Sequence, residues 1–406
     1  MGFCALGRVL GLEQRDSTRL RIFECIRAAG QISRIDIANI LQMSPATVTA
    51  ATADFLAAGL IVETSTSGST DGGRRGRPRV NLKLNEEAHL VAGIKVARTE
   101  ISVLVADFVG AETISHDMSL VDAQMHPEKL VQNIRQALDE TCKKGGISVD
   151  RISGASIGIA GLVNAEKNFV HWSSSLKGRN HDLGGYLSKH LPFPAFIEND
   201  ANLVAKAEQL FGEGRDLTNF LVITFEHGIG LGIVLGGELY RGERGCGAEF
   251  GHMKVHLDGA LCQCGQRGCL EAYVGAYALL REAAISSPGS EPRSVTDIFE
   301  AARDGSPVAQ SVLERAGQMF GMGVANLINL FDPQRIILSG GNTSLDHMHT
   351  DSVRARIRRD VLNVDAPIPE IVVNRWGHQM WARGAAAHAI EQVSRLKVVE
   401  LAANAD

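Results

Sequence analysis

The chain has 406 residues, of which 45% are hydrophobic and 21% are charged, and this length exceeds what one ordinary globular core accommodates. No stretch approaches the roughly 20 apolar residues of a membrane-spanning helix, and the first 12 residues are too short and Gly-rich for a secretory signal. We therefore expect a cytoplasmic α/β protein of two or three domains.

The charge is distributed unevenly along the chain. Residues 1–85 contain 11 basic and 7 acidic side chains and carry +4, whereas the remainder carries −9 within a total of −5. This basic N-terminal segment, residues 1–85, is called the head below. Its positive charge, next to an acidic remainder, indicates that it binds a polyanion such as nucleic acid.

Three helices are predicted in the basic head. The first ends at Gly30, a residue suited to a left-handed cap. Ser33 and Asp36 resemble a weak capping box at the start of the second helix. The third has Ser44 as its N-cap and is expected to end at Gly59. This order predicts a helix-turn-helix unit.

The third helix is the element expected to read DNA bases. Its outer face is predicted to carry small side chains, which allow a helix to lie against base edges and thymine methyl groups in a major groove. The expected contacts are Ser44 at the N-cap, and Thr47, Thr49, Ala50 and Thr52 on the outer face.

Two strands, Leu60 to Glu63 and Val80 to Leu84, are predicted to form a wing. The stretch between them, residues 67–79, is Gly-rich and basic, which suits contacts to phosphates or to a narrow minor groove. The DNA contacts expected there are Arg74, Arg75 and Arg77, with Arg79 beside them. The alternative is a protein-interaction module with a solvated linker.

Three of the seven cysteines fall within eight residues, as Cys262, Cys264 and Cys269. With His252 they offer a tetrahedral Cys₃His set for a structural zinc, and His256 is the rival imidazole. Neighbouring glycines supply the tight turns that would bring the thiolates together. The alternative is that these cysteines are small buried hydrophobic residues.

Several segments together resemble the ROK family of repressors, uncharacterised open reading frames and sugar kinases. The resemblance covers almost everything after residue 85. It rests on the Gly-Ala-Glu-Phe-Gly-His run at 247–252, the Cys-rich segment to Glu271, Glu-Asn-Asp-Ala-Asn at 198–202, and the segments 323–333 and 336–341.

The resemblance implies a winged helix-turn-helix domain at 1–85, followed at 86–406 by a two-lobed actin-like, or ribonuclease H-like, sugar-kinase-type domain. Lobe one is expected at about 86–205 plus the C-terminal helix, and lobe two at about 206–380. The family's zinc ligands fall on His252, Cys262, Cys264 and Cys269. Its sugar contacts fall on Gly161, Asn199, Asp200, Glu249, His252 and Glu271.

Two loops differ from the pattern of the kinase branch. Lys95 to Glu100 stands where kinases of the family have Asp-Ile-Gly-Gly-Thr-Lys, and Glu226 to Gly230 stands where they have Gly-Thr-Gly-Ile-Gly. The first loop lacks the glycines that allow a backbone to approach a phosphate, and the second carries a carboxylate there. Gly340 and Gly341 remain, but they equally suit a strand-to-helix turn.

Asp200, which corresponds to the general base of the kinases, is retained. Since both phosphate loops are altered, we predict no catalytic residues and treat Asp200 as a vestigial base. The chain is interpreted as a sugar-responsive repressor of carbohydrate genes, working as a homodimer or homotetramer on a palindromic operator. The alternatives are a ROK sugar kinase with an added DNA-binding head and a sugar-binding regulator of another protein.

Overall fold

The computed structural model describes residues 14–65, 80–226, 228–286, 292–340, 350–362, 365, 367–375, 377 and 379–403. Within these ranges, no helix combines the length and the apolar character needed to cross a membrane. The chain forms two compact units. Unit 1 contains Met1–Ile157, Leu183–Phe196 and Ala385–Asp406, and unit 2 contains Gly158–Asp182 and Ile197–Gly384.

Unit 1 begins with three helices and a small antiparallel sheet. The helices are α1 (Gln14–Ala29), α2 (Arg34–Leu41) and α3 (Pro45–Ala57), and the strands are β1 (Ile32–Ser33), β2 (Ile61–Ser65) and β3 (Val80–Leu84), in the order β1-β3-β2. The predicted helix-turn-helix and wing strands are present. The third helix ends two residues before the predicted Gly59, and the two-residue β1 is too short for a sequence pattern to reveal.

Local chemistry explains where these helices begin and end. Gly30, at φ +69°, takes the left-handed conformation that follows α1. The Ser33 hydroxyl accepts a hydrogen bond from the Asp36 N–H at the start of α2. The Ser44 hydroxyl accepts one from the Thr47 N–H, and Pro45 occupies the first turn of α3.

The rest of unit 1 is built on a five-stranded sheet in the order β11-β7-β4-β5-β6, whose β4–β5 and β5–β6 pairs are antiparallel. The strands are β4 (Leu90–Val96), β5 (Glu100–Ala106), β6 (Glu112–Ser119), β7 (Ile152–Ile159) and β11 (Ala195–Asn199). The helices are α4 (Pro127–Lys144), α5 (Leu183–His190) and α12 (Met380–Ala403), and a short 3-10 helix spans Val149–Arg151. The last residues of β7 and β11 and the first of α12 belong to unit 2.

Aromatic rings connect the core of the three-helix head to this sheet. Phe23 of α1 packs edge-to-face on Phe55 of α3, with ring centroids 5.5 Å apart, and lies 6.0 Å from Phe108 in the turn after β5. Phe108 lies 5.0 Å from the His89 imidazole, whose Nδ1 is 2.8 Å from the Ser153 hydroxyl of β7. Phe23 and Phe108 are fully buried, so the head shares its core with the sheet.

Unit 2 contains a second five-stranded sheet, in the order β14-β13-β12-β15-β16, and a three-stranded sheet, in the order β10-β9-β8. The strands are β8 (Gly161–Asn164), β9 (Phe169–Ser173), β10 (His181–Asp182), β12 (Phe220–Phe225), β13 (Ile229–Leu235), β14 (Glu238–Leu239), β15 (Arg335–Gly340) and β16 (Glu370–Asn374).

The helices of unit 2 are α6 (Asp200–Phe211), α7 (Glu271–Val274), α8 (Ala276–Ser286), α9 (Val295–Arg303), α10 (Pro307–Phe331) and α11 (Asp351–Asp360), with 3-10 turns at Ala165–Lys167 and Phe250–His252. Side chains from α7 to α11 pack on β12, β13 and β15 to form an apolar core of this unit.

The two five-stranded sheets share one strand order. When the five strands of each sheet are numbered in chain order, both sheets have the strand order 3-2-1-4-5. In unit 2 the first strand, β12, is antiparallel to the second and parallel to the fourth. This repeated topology is the α/β class predicted for the two-lobed domain. The predicted boundaries at residues 85, 205 and 380 remain predictions.

Candidate metal centre, sugar site and DNA interface

Four side chains that could hold a metal ion converge in unit 2. The ligand atoms of His252, Cys262, Cys264 and Cys269 all lie within 4.8 Å of one another. The Cys262 Sγ is 3.7 Å from the His252 Nδ1, and the Cys264 Sγ is 3.8 Å from the Cys269 Sγ. A tetrahedron with zinc–sulfur bonds of about 2.3 Å has edges of about 3.8 Å. The donor set and its spacing therefore fit a tetrahedral ion.

Glycines allow the cysteine loop to close on itself. Gly268 has φ +76°, and a Cβ on it would lie 1.8 Å from the His256 carbonyl oxygen. The Gly268 oxygen accepts a hydrogen bond of 2.9 Å from the Val255 N–H. The His256 ring bonds the Leu257 carbonyl at 2.8 Å and lies outside the cluster. The structure therefore brings together the same four residues that the family resemblance selects.

Asn199 and Gly161 are joined directly. The Asn199 amide donates to the Gly161 carbonyl at 3.0 Å, while its Oδ1 accepts from the Ala201 and Asn202 N–H groups at the start of α6. Gly161 has φ +134°, and a Cβ there would lie 2.2 Å from the Trp172 carbonyl oxygen. The N-cap of α6 is thus Asn199, and the Asp200 carboxylate also accepts a hydrogen bond from the Ala201 N–H at 2.9 Å.

The pKa of Glu249 responds to two other carboxylates of the predicted sugar site. Burial, followed by the charges of Asp200 and Glu271, together raise the pKa of Glu249 to about 7. The Glu249 Oε2 lies 3.9 Å from the His252 Nε2. Among the described residues, neither Glu249 nor Glu271 forms an ion pair with a lysine or arginine.

Glu271 contacts the β12–β13 turn. The Ile229 N–H lies 3.4 Å from the Glu271 Oε2, and a Cβ on Gly228 would lie 2.3 Å from that oxygen. The Tyr277 hydroxyl and the Cys262 Sγ lie 3.5 and 3.7 Å from the Glu271 Oε1. The β12–β13 turn corresponds to a phosphate-binding loop of the family's kinases. In this chain it contacts Glu271, one of the carboxylates of the predicted sugar site.

A buried ion pair beside these residues was missed by the sequence reasoning. The Arg241 Nε lies 2.6 Å from the Glu198 Oε2, and Glu198 is 1% exposed. The Glu198 Oε1 accepts from the Asn202 amide at 2.9 Å and from the Asn199 N–H at 2.8 Å. This ion pair holds the segment around Arg241, which leads to Gly247, against the start of α6. A glutamate inside the apolar strand β11 was the available signal.

The altered loop after β4 has no glycine-lined cradle. Lys95 is 5% exposed within β4, opposite Ser102 of β5, and Arg98 is exposed in the turn. The Glu226 N–H bonds the Gly228 carbonyl at 3.2 Å in the other altered loop. His227 and Gly341 lie outside the described residues.

The outer face of α3 is uncharged. Thr47 and Thr49 are exposed, together with Ser44 and Ala50. The Thr49 hydroxyl donates to the Pro45 carbonyl at 2.7 Å, and the Ser44 and Thr47 hydroxyls lie 2.8 Å apart. The expected wing contacts Arg74, Arg75 and Arg77 lie outside the described residues.

The placement of Thr52 on that outer face is wrong. Thr52 is fully buried, its hydroxyl donates to the Val48 carbonyl at 2.8 Å, and the Arg34 Nε donates to it at 3.1 Å. Arg34 also pairs with Glu63 of β2 at 2.8 Å. Through Arg34, the buried Thr52 hydroxyl therefore connects α3 with α2 and with strand β2 of the wing.

Family models match two regions of the chain. A model described as "ROK family" matches residues 91–392, and one described as "Winged helix-turn-helix DNA-binding" matches residues 15–62.

Curated relatives include repressors and kinases. The xylose repressor of Caldicellulosiruptor bescii is 28% identical over 81% of this chain and 84% of its own length. The N-acetylglucosamine repressor of Escherichia coli O6:H1 is 28% identical over 89% of both. The glucokinase of Streptomyces coelicolor is 30% identical over 74% of this chain and 98% of its own length.

The solved structures similar to this chain also include both a transcriptional regulator and a kinase. A ROK family transcriptional regulator, described as a homologue of the E. coli Mlc protein, superposes with a TM-score of 0.81 at 28% identity, over 95% of this chain and 99% of its own. A ROK glucokinase from Streptomyces griseus, in complex with glucose and AMPPNP, superposes with a TM-score of 0.64 at 30% identity, over 74% of this chain and 99% of its own.

Proposed function

The chain belongs to the ROK family, and on that basis we propose that it is a sugar-responsive transcriptional repressor of genes for carbohydrate uptake or catabolism. One observation carries the proposal: the same chain contains two kinds of site. One is a helix-turn-helix with an exposed, uncharged face on α3, and the other is a group of carboxylate and amide side chains of the kind that hydrogen-bond sugar hydroxyls. Two repressors among the relatives match 81% and 89% of the chain.

The sugar is bound by Gly161, Asn199, Asp200, Glu249, His252 and Glu271. Carboxylates and amides suit this task because each can hydrogen-bond two neighbouring hydroxyls and fix the orientation of the ring. The sugar binds one conformation of the protein more tightly than another and so shifts the population that fits DNA. Homo-oligomers on a palindromic operator follow from the usual geometry of helix-turn-helix proteins.

The Cys₃His cluster holds one structural zinc ion per chain. His252, Cys262, Cys264 and Cys269 would complete its coordination, and the ion would cross-link the loop that leads to Glu271. With its Nδ1 on the ion, His252 would present its Nε2 beside Glu249.

A sugar kinase is the second candidate, because Asp200 is retained and a glucokinase is 30% identical. The altered loops at 95–100 and 226–230 argue against it. The deciding experiment uses the full chain: selection of duplexes from a random library, then release or retention of the selected DNA on adding D-glucose, D-xylose or N-acetyl-D-glucosamine. Failure to select any duplex, together with ATP-dependent phosphorylation of one of these sugars, would favour the kinase.

A further inference from the structure

Lys254 contacts one of the four side chains of the Cys₃His cluster. Its Nζ donates to the Cys269 Sγ at 2.9 Å and to the Gln266 Oε1 at 2.6 Å. Cys269 is fully buried, whereas Lys254 and Gln266 are exposed. Because the Gln266 amide is neutral, the Cys269 sulfur is the group in this contact whose charge the ammonium can compensate.

The backbone fixes the contact between Lys254 and Cys269. The two residues face each other across an antiparallel bridge. Backbone hydrogen bonds of 2.9 Å flank the pair on both sides, one donated to the Gly268 carbonyl and the other to the Met253 carbonyl. Lys254 and Cys269 therefore form a non-hydrogen-bonded pair, the arrangement in which facing side chains lie closest.

The charge of the proposed metal centre gives this lysine a role. Three thiolates and a neutral imidazole around a divalent ion leave one excess negative charge. A cation beside a ligand sulfur offsets that charge, and a hydrogen bond to the sulfur orients the ligand. The alternative is an ordinary surface lysine, which contributes little to its surroundings.

We infer that Lys254 is a positioning residue of the metal centre: its ammonium compensates the Cys269 thiolate and so strengthens the binding of the ion. This inference rests on the proposed zinc site. Lys254 acts on the metal-bound cluster and adds little to the metal-free fold, because its own side chain is exposed. These two consequences separate the role from a purely structural one.

Lys254→Met removes the charge and keeps most of the length of the side chain. The affinity for zinc should fall about tenfold or more, as is usual when a partner of a metal ligand is lost. Arg267→Met is the matched control, because Arg267 is an exposed cation of the same loop that bonds the Gly259 carbonyl at 3.2 Å rather than a sulfur. Its affinity for zinc should equal that of the wild type.

Competition with a chromogenic chelator measures the zinc affinity of the full-length variants, and Co²⁺ substitution gives a spectroscopic readout. In Lys254→Met the sulfur-to-cobalt charge-transfer band should move to lower energy, because a donor on the sulfur stabilises its lone pairs. The Tm of the metal-free protein should stay the same.

Weaker zinc binding and a shifted band in Lys254→Met, with both unchanged in Arg267→Met, support the inference. Wild-type affinity in Lys254→Met, or an equal loss in Arg267→Met, overturns the role of Lys254 alone. An equal fall of Tm in metal-free and zinc-bound Lys254→Met also overturns it, since the residue would then stabilise the fold. A wild type that binds neither zinc nor cobalt removes the proposed metal site and the inference with it.

Discussion

The Arg241 guanidinium lies 2.6 Å from the Glu198 carboxylate, which is almost completely buried beside Asn199 and Asn202. Removing one partner of a buried pair is costly, because the other charge remains in a poorly solvated place.

Arg241→Met should therefore lower the free energy of unfolding by about 3 kcal/mol, since it removes the guanidinium that lies against the buried Glu198 carboxylate. Urea denaturation measures the change. The matched variant Arg241→Met with Glu198→Gln should recover part of the loss, because the glutamine carries no charge. Equal losses in the single and double variants would show that the pair contributes packing rather than charge compensation.

The metal proposal predicts about one zinc per chain in protein prepared without chelator. Cys262→Ser should lose the metal, whereas His256→Asn should retain it, because His256 lies outside the cluster. Elemental analysis of the purified proteins gives both answers. Metal-free wild type, or zinc loss in His256→Asn, would contradict the assigned ligand set.

The altered phosphate loops predict no ATP-dependent sugar phosphorylation above background. A coupled assay that detects ADP would measure it on the same three sugars. Turnover on the order of 1 s⁻¹ that disappears in Asp200→Ala would make the protein a kinase.

In the head, the wing arginines should contact DNA phosphates, whereas the α3 threonines should contact bases. Alanine at Arg74, Arg75 and Arg77 should weaken binding to all duplexes and reduce the salt dependence by about one unit of slope per lost phosphate contact. Thr47→Ala and Thr49→Ala should instead change which duplexes are selected. Thr52→Ala is the control: it is buried, so it should lower stability. A deletion of residues 1–85 that still bound the selected duplex would refute the assignment.

Glu249→Ala or Glu271→Ala should abolish the response to sugar while leaving sugar-free DNA affinity nearly unchanged. Loss of a hydrogen bond from a charged group costs about 1.5–3 kcal/mol, so sugar affinity should fall at least tenfold. By thermodynamic reciprocity, DNA must alter sugar affinity by the same factor as sugar alters DNA affinity. Equal sugar affinities with and without saturating DNA would indicate that another partner performs the switch.

Acid should weaken unit 1 through His89. Burial lowers the pKa of this imidazole, and the nearby Lys397 lowers it further, against a smaller opposite effect of Glu400. The folded state therefore binds fewer protons than the unfolded state below about pH 6.5, and stability is lost as the pH falls from there. Urea unfolding at pH 7.5 and 5.5 should show a smaller loss in His89→Gln than in the wild type. An equal loss would exclude His89 as the cause.

The sequence predicted the elements that have strong local signals and missed those that depend on tertiary contacts. Pro45 after Ser44 located the start of α3, and Val80 to Leu84 was predicted within its observed bounds. The error at Thr52 was avoidable, because Thr52 lies four residues after the buried Val48 and thus on the same face. The glutamate inside the apolar strand β11 indicates a buried charge, but nothing local identifies Arg241, 43 residues away, as its partner.

The contact of Phe23 with Phe108 limits how this protein can be recombined with its relatives. A chimaera cut at residue 85 would transplant a helix-turn-helix whose Phe23 ring had evolved against a turn that stays behind. The donor head would then meet a foreign surface, and the exposed ring would favour aggregation. Exchange of DNA specificity between such regulators should therefore succeed only when the turn around Phe108 is transferred together with the head.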